Sequence, residues 1–288
     1  MPCSGLSITR RGHPMVDVEL WQIPSREWPV KRLDVWFYRL DVSAEETRYW
    51  QTVLTPAELA RGQRLATEHL RRRWWVARGK MRRILSAYLK LDARDLTFSY
   101  GRRGKPAIAN PTKGSPLHFN LSHTAAWAVL LCADAPVGVD MEAAEAQQIA
   151  RLQSRILAPE ETAANDARVD TDRKHSAGTD MVLLWLCKEA LLKGLGIGIG
   201  GTMHQIQLPV PMPVDRWFAP TRIAPDLLLQ IEDDASCRFN HWIDASQWRL
   251  RIFPHGPYPT SLAIADRSPG NIHLLHESSA GWTQLLVA

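Results

Sequence analysis

The sequence predicts an α+β protein made of two parts, because of its length and a loosely repeated order of elements. Its 288 residues are enough for about two domains. Strand, helix and further strand patterns follow one another from Leu33 to Cys132, and a similar order begins again at Val137. We therefore expect one part at 33–135 and a second at 136–266. A partly disordered N-terminal extension is expected at 1–32 and a tail at 267–288.

The elements of the first part follow from local patterns. Leu33–Leu40 is rich in apolar and aromatic residues, which is typical of a strand. Thr55 and Pro56 predict the start of a helix, since threonine caps helices and proline is favoured at their first position. The other segments predicted here are a helix near Ala44–Leu54, helices up to about Lys90, and strands at Leu96–Tyr100, Phe119–Ser122 and Trp127–Cys132.

The second part opens with a predicted strand at Val137–Glu142 and a predicted helix at Ala146–Leu157. Asn165–Asp180 is polar and lacks an apolar period, so we expect a surface loop there. A helix is predicted around Glu189. Paired strands are predicted at Arg249–Phe253 and Ser261–Ala265.

The composition is that of an ordinary globular protein, with 45% apolar and 23% charged residues. No apolar run approaches the ~20 residues that span a bilayer, so no membrane-spanning segment is expected. The four cysteines are scattered and form no C-x-x-C pair. This pattern favours a reduced, cytoplasmic protein over a zinc site or a disulfide framework.

Positive charge is concentrated between Arg61 and Arg83, where nine Lys or Arg residues accompany one acid, Glu68. Such a segment is either a solvated basic helix face or a surface for nucleic acid, a membrane or a polyanionic small molecule. The sequence alone leaves both interpretations open.

A D-x-E pattern ends the strand predicted at Val137–Glu142. Side chains alternate along a strand, so Asp140 and Glu142 are expected on the same face, a few ångströms apart. Two neighbouring carboxylates repel each other unless a cation lies between them. Oxygen ligands of this kind suit Mg²⁺ or Mn²⁺.

The helix around Glu189 adds a third carboxylate and an ammonium group. Glu189 and Lys193 are four residues apart and therefore share a helix face, an arrangement suited to a metal-bound phosphate. Lys188 lies five positions before Lys193, about 140° around the helix, so both lysines are not expected to face one cleft.

These residues resemble the signature of the 4′-phosphopantetheinyl transferases, of the large surfactin-synthetase-activating (Sfp-like) type. The pattern G-x-D-x-E at Gly138–Glu142 is followed by W-x-x-K-E-A-x-x-K at Trp185–Lys193. Two further blocks, Gly104–Pro106 and Phe119–Thr124, agree in order and spacing. The similarity extends from about Leu33 to about Asp266.

The resemblance implies two pseudo-symmetric α+β halves packed together, with the active site at their interface. It implies Mg²⁺-dependent transfer of 4′-phosphopantetheine from coenzyme A to a serine of an apo carrier protein, with release of 3′,5′-ADP. We further expect a monomer that binds neither nucleic acid nor a membrane. The implied metal ligands are Asp140, Glu142 and Glu189. The implied catalytic residues are Glu189, as the candidate base, Lys193 and His123.

The same resemblance assigns coenzyme A binding to a set of basic and hydroxyl residues: Arg61, Arg73, Lys105, Ser122, His123 and Lys193. Lys105 lies between a glycine and a proline, which predicts a restrained backbone with a free cationic arm. Position 58 often holds a lysine in this family, whereas this chain has Glu58. The mode of 3′-phosphate binding is therefore open.

Two alternatives come from other classes. A non-catalytic nucleic-acid or polyanion-binding protein could use the Arg61–Arg83 segment, and its binding would depend on salt rather than on metal. A metal-dependent phosphohydrolase could use the same carboxylates. The glycine-rich segment Gly194–Gly201 follows a helix, so it does not fit the strand-to-helix setting of a dinucleotide-binding loop.

Overall fold

The structure is a computed structural model that describes residues 32–110, 117–143, 149, 151–169, 174–198, 202–214, 216–224, 227, 245–253, 258–278 and 281–287. The N-terminal extension predicted at 1–32 lies outside the described residues, apart from Arg32. The described helices are α1 (Ala44–Gln51), α2 (Pro56–Gln63), α3 (Glu68–Leu89), α4 (Gln153–Ile156), α5 (Pro159–Val169) and α6 (Lys174–Leu195).

The described strands fall into two main sheets and two small two-stranded sheets. Their bounds are β1 (Leu33–Arg39), β2 (Phe98–Tyr100), β3 (Pro106–Ile108), β4 (His118–Thr124), β5 (Trp127–Ala133), β6 (Val137–Met141), β7 (Ile206–Gln207), β8 (Arg222–Ile223), β9 (Trp248–Phe253), β10 (Thr260–Ala265), β11 (Ile272–Ser278) and β12 (Gly281–Val287). The first sheet has the order β12-β11-β1-β5-β4, and the second has the order β6-β10-β9. β9 and β10 pair antiparallel, which confirms the two strands predicted there.

The segment described as a tail at 267–288 contributes two strands to the first sheet. β11 pairs parallel with β1, with Leu33 opposite Ile272, and β12 pairs antiparallel with β11. Glu277 in β11 accepts hydrogen bonds of 2.6 and 2.8 Å from the buried ammonium of Lys80 in α3. The C-terminal strands are therefore tied to the first part of the chain.

The described residues form four layers: α3, the first sheet, the second sheet and α6. Side chains that alternate along the strands fill the spaces between these layers. Trp36 and Tyr38 of β1 face the core beneath α3, whereas Val35 on the opposite face packs against the second sheet. The far face of the second sheet, including Leu250, packs against Leu191 of α6. The α+β prediction is confirmed, and the two sheets meet face to face in the middle of the molecule.

The surface loop predicted at Asn165–Asp180 is wrong for the described residues. Helix α5 continues to Val169, and α6 begins at Lys174. A polar sequence without an apolar period does not exclude a helix, because a helix can extend beyond its apolar segment. Of the helix predicted at Ala146–Leu157, positions 146–148 and 150 lie outside the described residues. Ile149 is helical, positions 151–152 form a turn, and α4 covers Gln153–Ile156.

The most buried residues of the basic segment Arg61–Arg83 form neither a solvated helix face nor a binding surface. Lys80 and Arg82 are each 2% exposed. The Arg82 side chain donates to Glu58 at 2.7 Å and to two backbone carbonyl oxygens, those of Ala93 and Leu96. Glu58 also completes the capping box that Thr55 begins at the start of α2. These charges therefore stabilise the first part of the fold from within.

Candidate active site

The site forms where helix α6 packs against strand β6, and two glycines allow that approach. A Cβ atom on Gly138 would overlap the carbonyl oxygen of Ala190 and the backbone of Gly194. Only glycine lets a strand and a helix come this close. The glycine of the G-x-D-x-E pattern thus brings Asp140 within reach of the side chains on α6.

Asp140 is the centre of the polar cluster at this junction. Its Oδ1 atom accepts hydrogen bonds from Lys193 Nζ at 2.5 Å and from Ser122 Oγ at 2.9 Å. Lys193 also donates to Ser122 Oγ at 3.0 Å and lies 3.4 Å from Glu189 Oε2. The second oxygen, Oδ2, is buried and has no hydrogen-bond partner among the described residues.

The charges in this cluster shift one another's protonation. The pKa of Glu189 is raised from 4.5 to about 7, first by burial and then by the negative charge of Asp140. Burial opposes the charge on Lys193, but Asp140 and Glu189 outweigh it and raise the pKa of this ammonium. Near neutral pH the cluster therefore holds an ionised lysine and a glutamate that readily exchanges a proton.

Glu142 lies just beyond β6 and points to a different partner. Its Oε1 atom accepts from Thr124 Oγ1 at 3.2 Å and from the backbone N–H of Ala143 at 2.9 Å. Asp140 and Glu142 thus contact alternate residues of β4, Ser122 and Thr124. Among the residues described, no three Asp, Glu, His or Cys side chains converge as a group that could hold a metal ion, and the role of the three carboxylates as ligands stays a prediction.

Ser122 and His123 are adjacent in β4 but differ in exposure. The Ser122 hydroxyl is buried and engaged by Asp140 and Lys193, which differs from the phosphate contact that the resemblance implies. His123 is exposed at the site. Although the residue as a whole is accessible to solvent, partial burial of its ring lowers the pKa of His123, and the positive charge of Lys193 lowers it further. His123 is therefore predominantly neutral at pH 7.

The expectation of a free cationic arm at Lys105 is wrong in this structure. Its Nζ donates to the carbonyl oxygens of Gly194 at 2.6 Å and Val137 at 3.0 Å. These carbonyls belong to the end of α6 and the start of β6. Lys105 therefore joins the first part of the chain to the same junction that carries Asp140 and Lys193.

Arg73 and Arg61 lie on the helices of the first part. The Arg73 guanidinium forms two parallel hydrogen bonds of 2.6 Å to the carboxylate of Asp41. The hydrogen bond to Asp41 raises the pKa of Arg73, and the charge of Arg73 in turn contributes to the lowered pKa of His123. Arg61 is an exposed residue in the last turn of α2.

Asn120 and Thr124, to which the sequence pattern assigned no role, also contact the site. Asn120 Oδ1 accepts from the backbone N–H of Val139 at 2.9 Å, and Thr124 contacts Glu142 as described above. Both residues share the strand period of two with Ser122. That period, applied to Phe119–Thr124, was the signal that could have identified them.

Comparisons with known proteins point to one family. A profile of the 4′-phosphopantetheinyl transferase superfamily matches residues 136–252. The chain is 30% identical over 222 residues to the 4′-phosphopantetheinyl transferase HetI of Nostoc sp., covering 76% of this chain and 84% of that protein. It is 25% identical over 161 residues to the 4′-phosphopantetheinyl transferase Sfp of Bacillus subtilis, covering 55% of this chain and 67% of that protein.

A further relative is the L-aminoadipate-semialdehyde dehydrogenase-phosphopantetheinyl transferase of Xenopus laevis, 25% identical over 164 residues and matched over 51% of each chain. This chain belongs to the 4′-phosphopantetheinyl transferase superfamily. Its enzymes move the 4′-phosphopantetheine group of coenzyme A to an apo carrier protein. The comparisons do not support the polyanion-binding or phosphohydrolase alternatives. Among the described helices, none has the length and apolar character needed to cross a membrane.

Proposed function

We propose that this enzyme is a Mg²⁺-dependent holo-acyl-carrier-protein synthase whose metal is held by Asp140, Glu142 and Glu189. The observation that carries the proposal is the buried Oδ2 atom of Asp140, which has no partner among the described residues. A buried carboxylate oxygen without a partner is costly, and a hard cation would satisfy it. The donor set consists of oxygens, as Mg²⁺ or Mn²⁺ prefers.

When bound, the metal would supply positive charge next to the diphosphate of coenzyme A, where charge develops as the phosphoanhydride bond breaks. Lys193 then has a second role. Its ammonium, which pairs with Asp140 and Glu189 here, is within the same cluster and can bind a diphosphate oxygen. Phosphoryl transfer depends mainly on positioning and charge neutralisation, and an ammonium of raised pKa supplies both.

Glu189 is our candidate for the group that takes up the proton of the carrier serine. Its Oε2 atom lies 3.4 Å from Lys193 Nζ, the group proposed to bind the diphosphate, so Glu189 lies close to the reacting phosphate. Without a metal, burial and the charge of Asp140 raise the pKa of Glu189 to about 7, whereas a bound cation would lower it and favour the ionised form that accepts a proton. Glu189 would take up the proton directly or through a water molecule.

We assign the nucleotide side of coenzyme A to Arg73, His123 and Arg61. Arg73 acts electrostatically on His123, which supports a common surface for the two side chains. Ser122 is proposed to act through Asp140 and Lys193 as well as toward phosphate. Lys105 would reach a phosphate only after leaving the Val137 and Gly194 carbonyls.

The function is tested by mass spectrometry of several apo carrier proteins after incubation with this protein and coenzyme A. With Mg²⁺ we expect a mass increase equal to one phosphopantetheine group and release of 3′,5′-ADP, and in EDTA we expect neither. Phosphate release from coenzyme A without a carrier would instead indicate a phosphohydrolase. Full modification in EDTA would contradict the metal assignment. The monomeric state and the cytoplasmic location stay predictions.

A further inference from the structure

One face of strand β4 carries a row of polar side chains that matches the D-x-E segment position by position. Asn120, Ser122 and Thr124 follow the strand period of two, so they project from the same face. Asn120 accepts from the backbone N–H of Val139, and Ser122 donates to Asp140. Thr124 donates to Glu142. Successive polar residues of β4 therefore contact successive residues of β6 and of the segment that follows it.

These contacts occur between two strands that end their sheets. In the described residues, β4 is the last strand of the first sheet and β6 is the last strand of the second. The described strand pairings contain no backbone ladder between them. Asn120 Oδ1 instead supplies the acceptor that the Val139 N–H needs, in a position 7% exposed. Side chains of β4 therefore hold this edge of β6 in register.

Thr124 has the most direct link to a proposed metal ligand. Its hydroxyl donates to Glu142 Oε1 at 3.2 Å, and it accepts from the backbone N–H of Ala143 at 3.3 Å. The same N–H donates to Glu142 Oε1 at 2.9 Å. A hydroxyl that holds both the carboxylate and the following backbone restricts the directions in which Glu142 can point.

We infer that Thr124 and Asn120 are positioning residues for the metal site: Thr124 orients the Glu142 carboxylate, and Asn120 holds the backbone next to Asp140. The inference rests on the proposed metal-binding role of Asp140 and Glu142. Ligating carboxylates depend on hydrogen bonds that hold them in direction, and loss of such a partner typically lowers metal affinity about 10–100-fold. The polar side chains of β4, in the first sheet, thus help to fix the positions of the proposed metal ligands at the edge of the second sheet.

The test uses Thr124→Val, which keeps the shape of the side chain and removes its hydroxyl, and Thr124→Ser, which restores the hydroxyl. Mn²⁺ affinity is measured by electron paramagnetic resonance at fixed coenzyme A without a carrier protein, so no turnover is needed. We expect Thr124→Val to weaken Mn²⁺ binding about tenfold. Thr124→Ser should bind within about twofold of the unmodified protein, and the KM for coenzyme A at saturating Mg²⁺ should be similar in all three.

Asn120→Ala should weaken Mn²⁺ binding as well, and Asn120→Asp, which keeps an acceptor oxygen, should be less affected. Asn110→Ala is the matched control, because Asn110 bonds the backbone of Thr97 and Asp95 away from this junction. It should leave Mn²⁺ binding unchanged. Equal Mn²⁺ affinity for Thr124→Val and the unmodified protein would overturn the positioning role alone. An unmodified protein that binds no Mn²⁺ would overturn both this inference and the proposed metal site.

Discussion

Lys188 and Lys193 lie on the same helix, α6, and their ammonium groups meet very different surroundings. Lys188 is fully buried and donates to the Ile156 carbonyl oxygen at 2.7 Å and to Glu161 Oε2 at 2.5 Å. Lys193 is 27% exposed and pairs with Asp140 and Glu189 at the junction with β6. As expected from their spacing, the two lysines do not face the same site.

The carboxylates that receive these two lysines show what separates a structural ion pair from a functional one. Both oxygens of Glu161 are occupied, since Oε2 also accepts from the Ala158 N–H and Oε1 accepts from the Leu208 N–H. Asp140 leaves Oδ2 without a partner among the described residues. The first network is closed and stabilises the fold. The second is open, as expected of a site that binds a further group.

The pKa shifts of the two lysines run in opposite directions. Burial lowers the pKa of Lys188 in spite of Glu161, whereas the two carboxylates raise the pKa of Lys193 above its usual value. The fully buried Lys188 pairs with one carboxylate, whereas the partly buried Lys193 pairs with two. The surplus of negative charge is therefore located at the open network.

The largest expected effect comes from opening the closed network. Lys188→Met would leave the Glu161 carboxylate buried and unpaired, and the loss of one partner of a buried pair typically costs about 3–5 kcal/mol of unfolding free energy. Chemical denaturation followed by circular dichroism measures this loss. Adding Glu161→Gln removes the stranded charge while keeping an acceptor oxygen, so the double variant should recover part of the stability. Equal stability of the single and double variants would contradict the assignment.

The next effect is on chemistry at the open network. Lys193→Met removes an ammonium proposed to bind the diphosphate, and losses of this kind typically lower the rate about 10²–10³-fold. The unfolding free energy should fall less than in Lys188→Met, because Glu189 can take up a proton and relieve its repulsion with Asp140. Steady-state transfer kinetics measures the effect. A wild-type rate would show that Lys193 is only a counter-ion of Asp140.

A smaller effect is expected on the pH dependence of stability. Folding raises the pKa of Glu189 from 4.5 to about 7, so the folded protein binds more protons between these pH values. The contribution of Glu189 protonation to the free energy of unfolding is fully present below about pH 4.5. It is lost as the pH rises through about 7, and the loss is at most about 3 kcal/mol. Glu189→Gln carries no such charge. Its stability relative to the unmodified protein should therefore increase between pH 5 and pH 8, and a pH-independent difference would contradict the raised pKa.

The smallest expected effect concerns Arg73. If Arg73 binds the 3′-phosphate of coenzyme A, Arg73→Ala should raise the KM for coenzyme A about tenfold and hardly affect dephospho-coenzyme A. Asp41→Asn is a useful counterpart, because it removes the carboxylate that now receives the guanidinium. That variant should lower the KM. Equal losses for both donors would assign Arg73 to the fold or to the carrier protein.

The sequence was sufficient for elements whose formation depends on local pattern. Strand β6, the paired strands β9 and β10, and the start of α2 at Thr55 were predicted from alternation and capping. The grouping of Asp140, Glu189 and Lys193 followed from strand and helix periods once the family pattern was recognised. These features need only the order of residues along one or two elements.

What could not be predicted depends on distant parts of the chain. The partners of Lys105 are backbone carbonyls of β6 and α6, which no side-chain pattern marks. The burial of Lys80 depends on Glu277, which is 197 positions away in a segment without a predicted strand. A run of charged or polar residues does not reveal which of its side chains will be buried by a distant part of the chain.

The most direct measurement of the central claim is the initial rate of carrier modification per folded molecule, compared for Lys193→Met and the double variant Lys188→Met, Glu161→Gln. The folded fraction is taken from the denaturation curve of each preparation. The account predicts a rate within about threefold of the unmodified protein for the double variant and a loss of about 100-fold or more for Lys193→Met. Similar rates for the two variants would contradict the division of α6 into a closed structural pair and an open functional one.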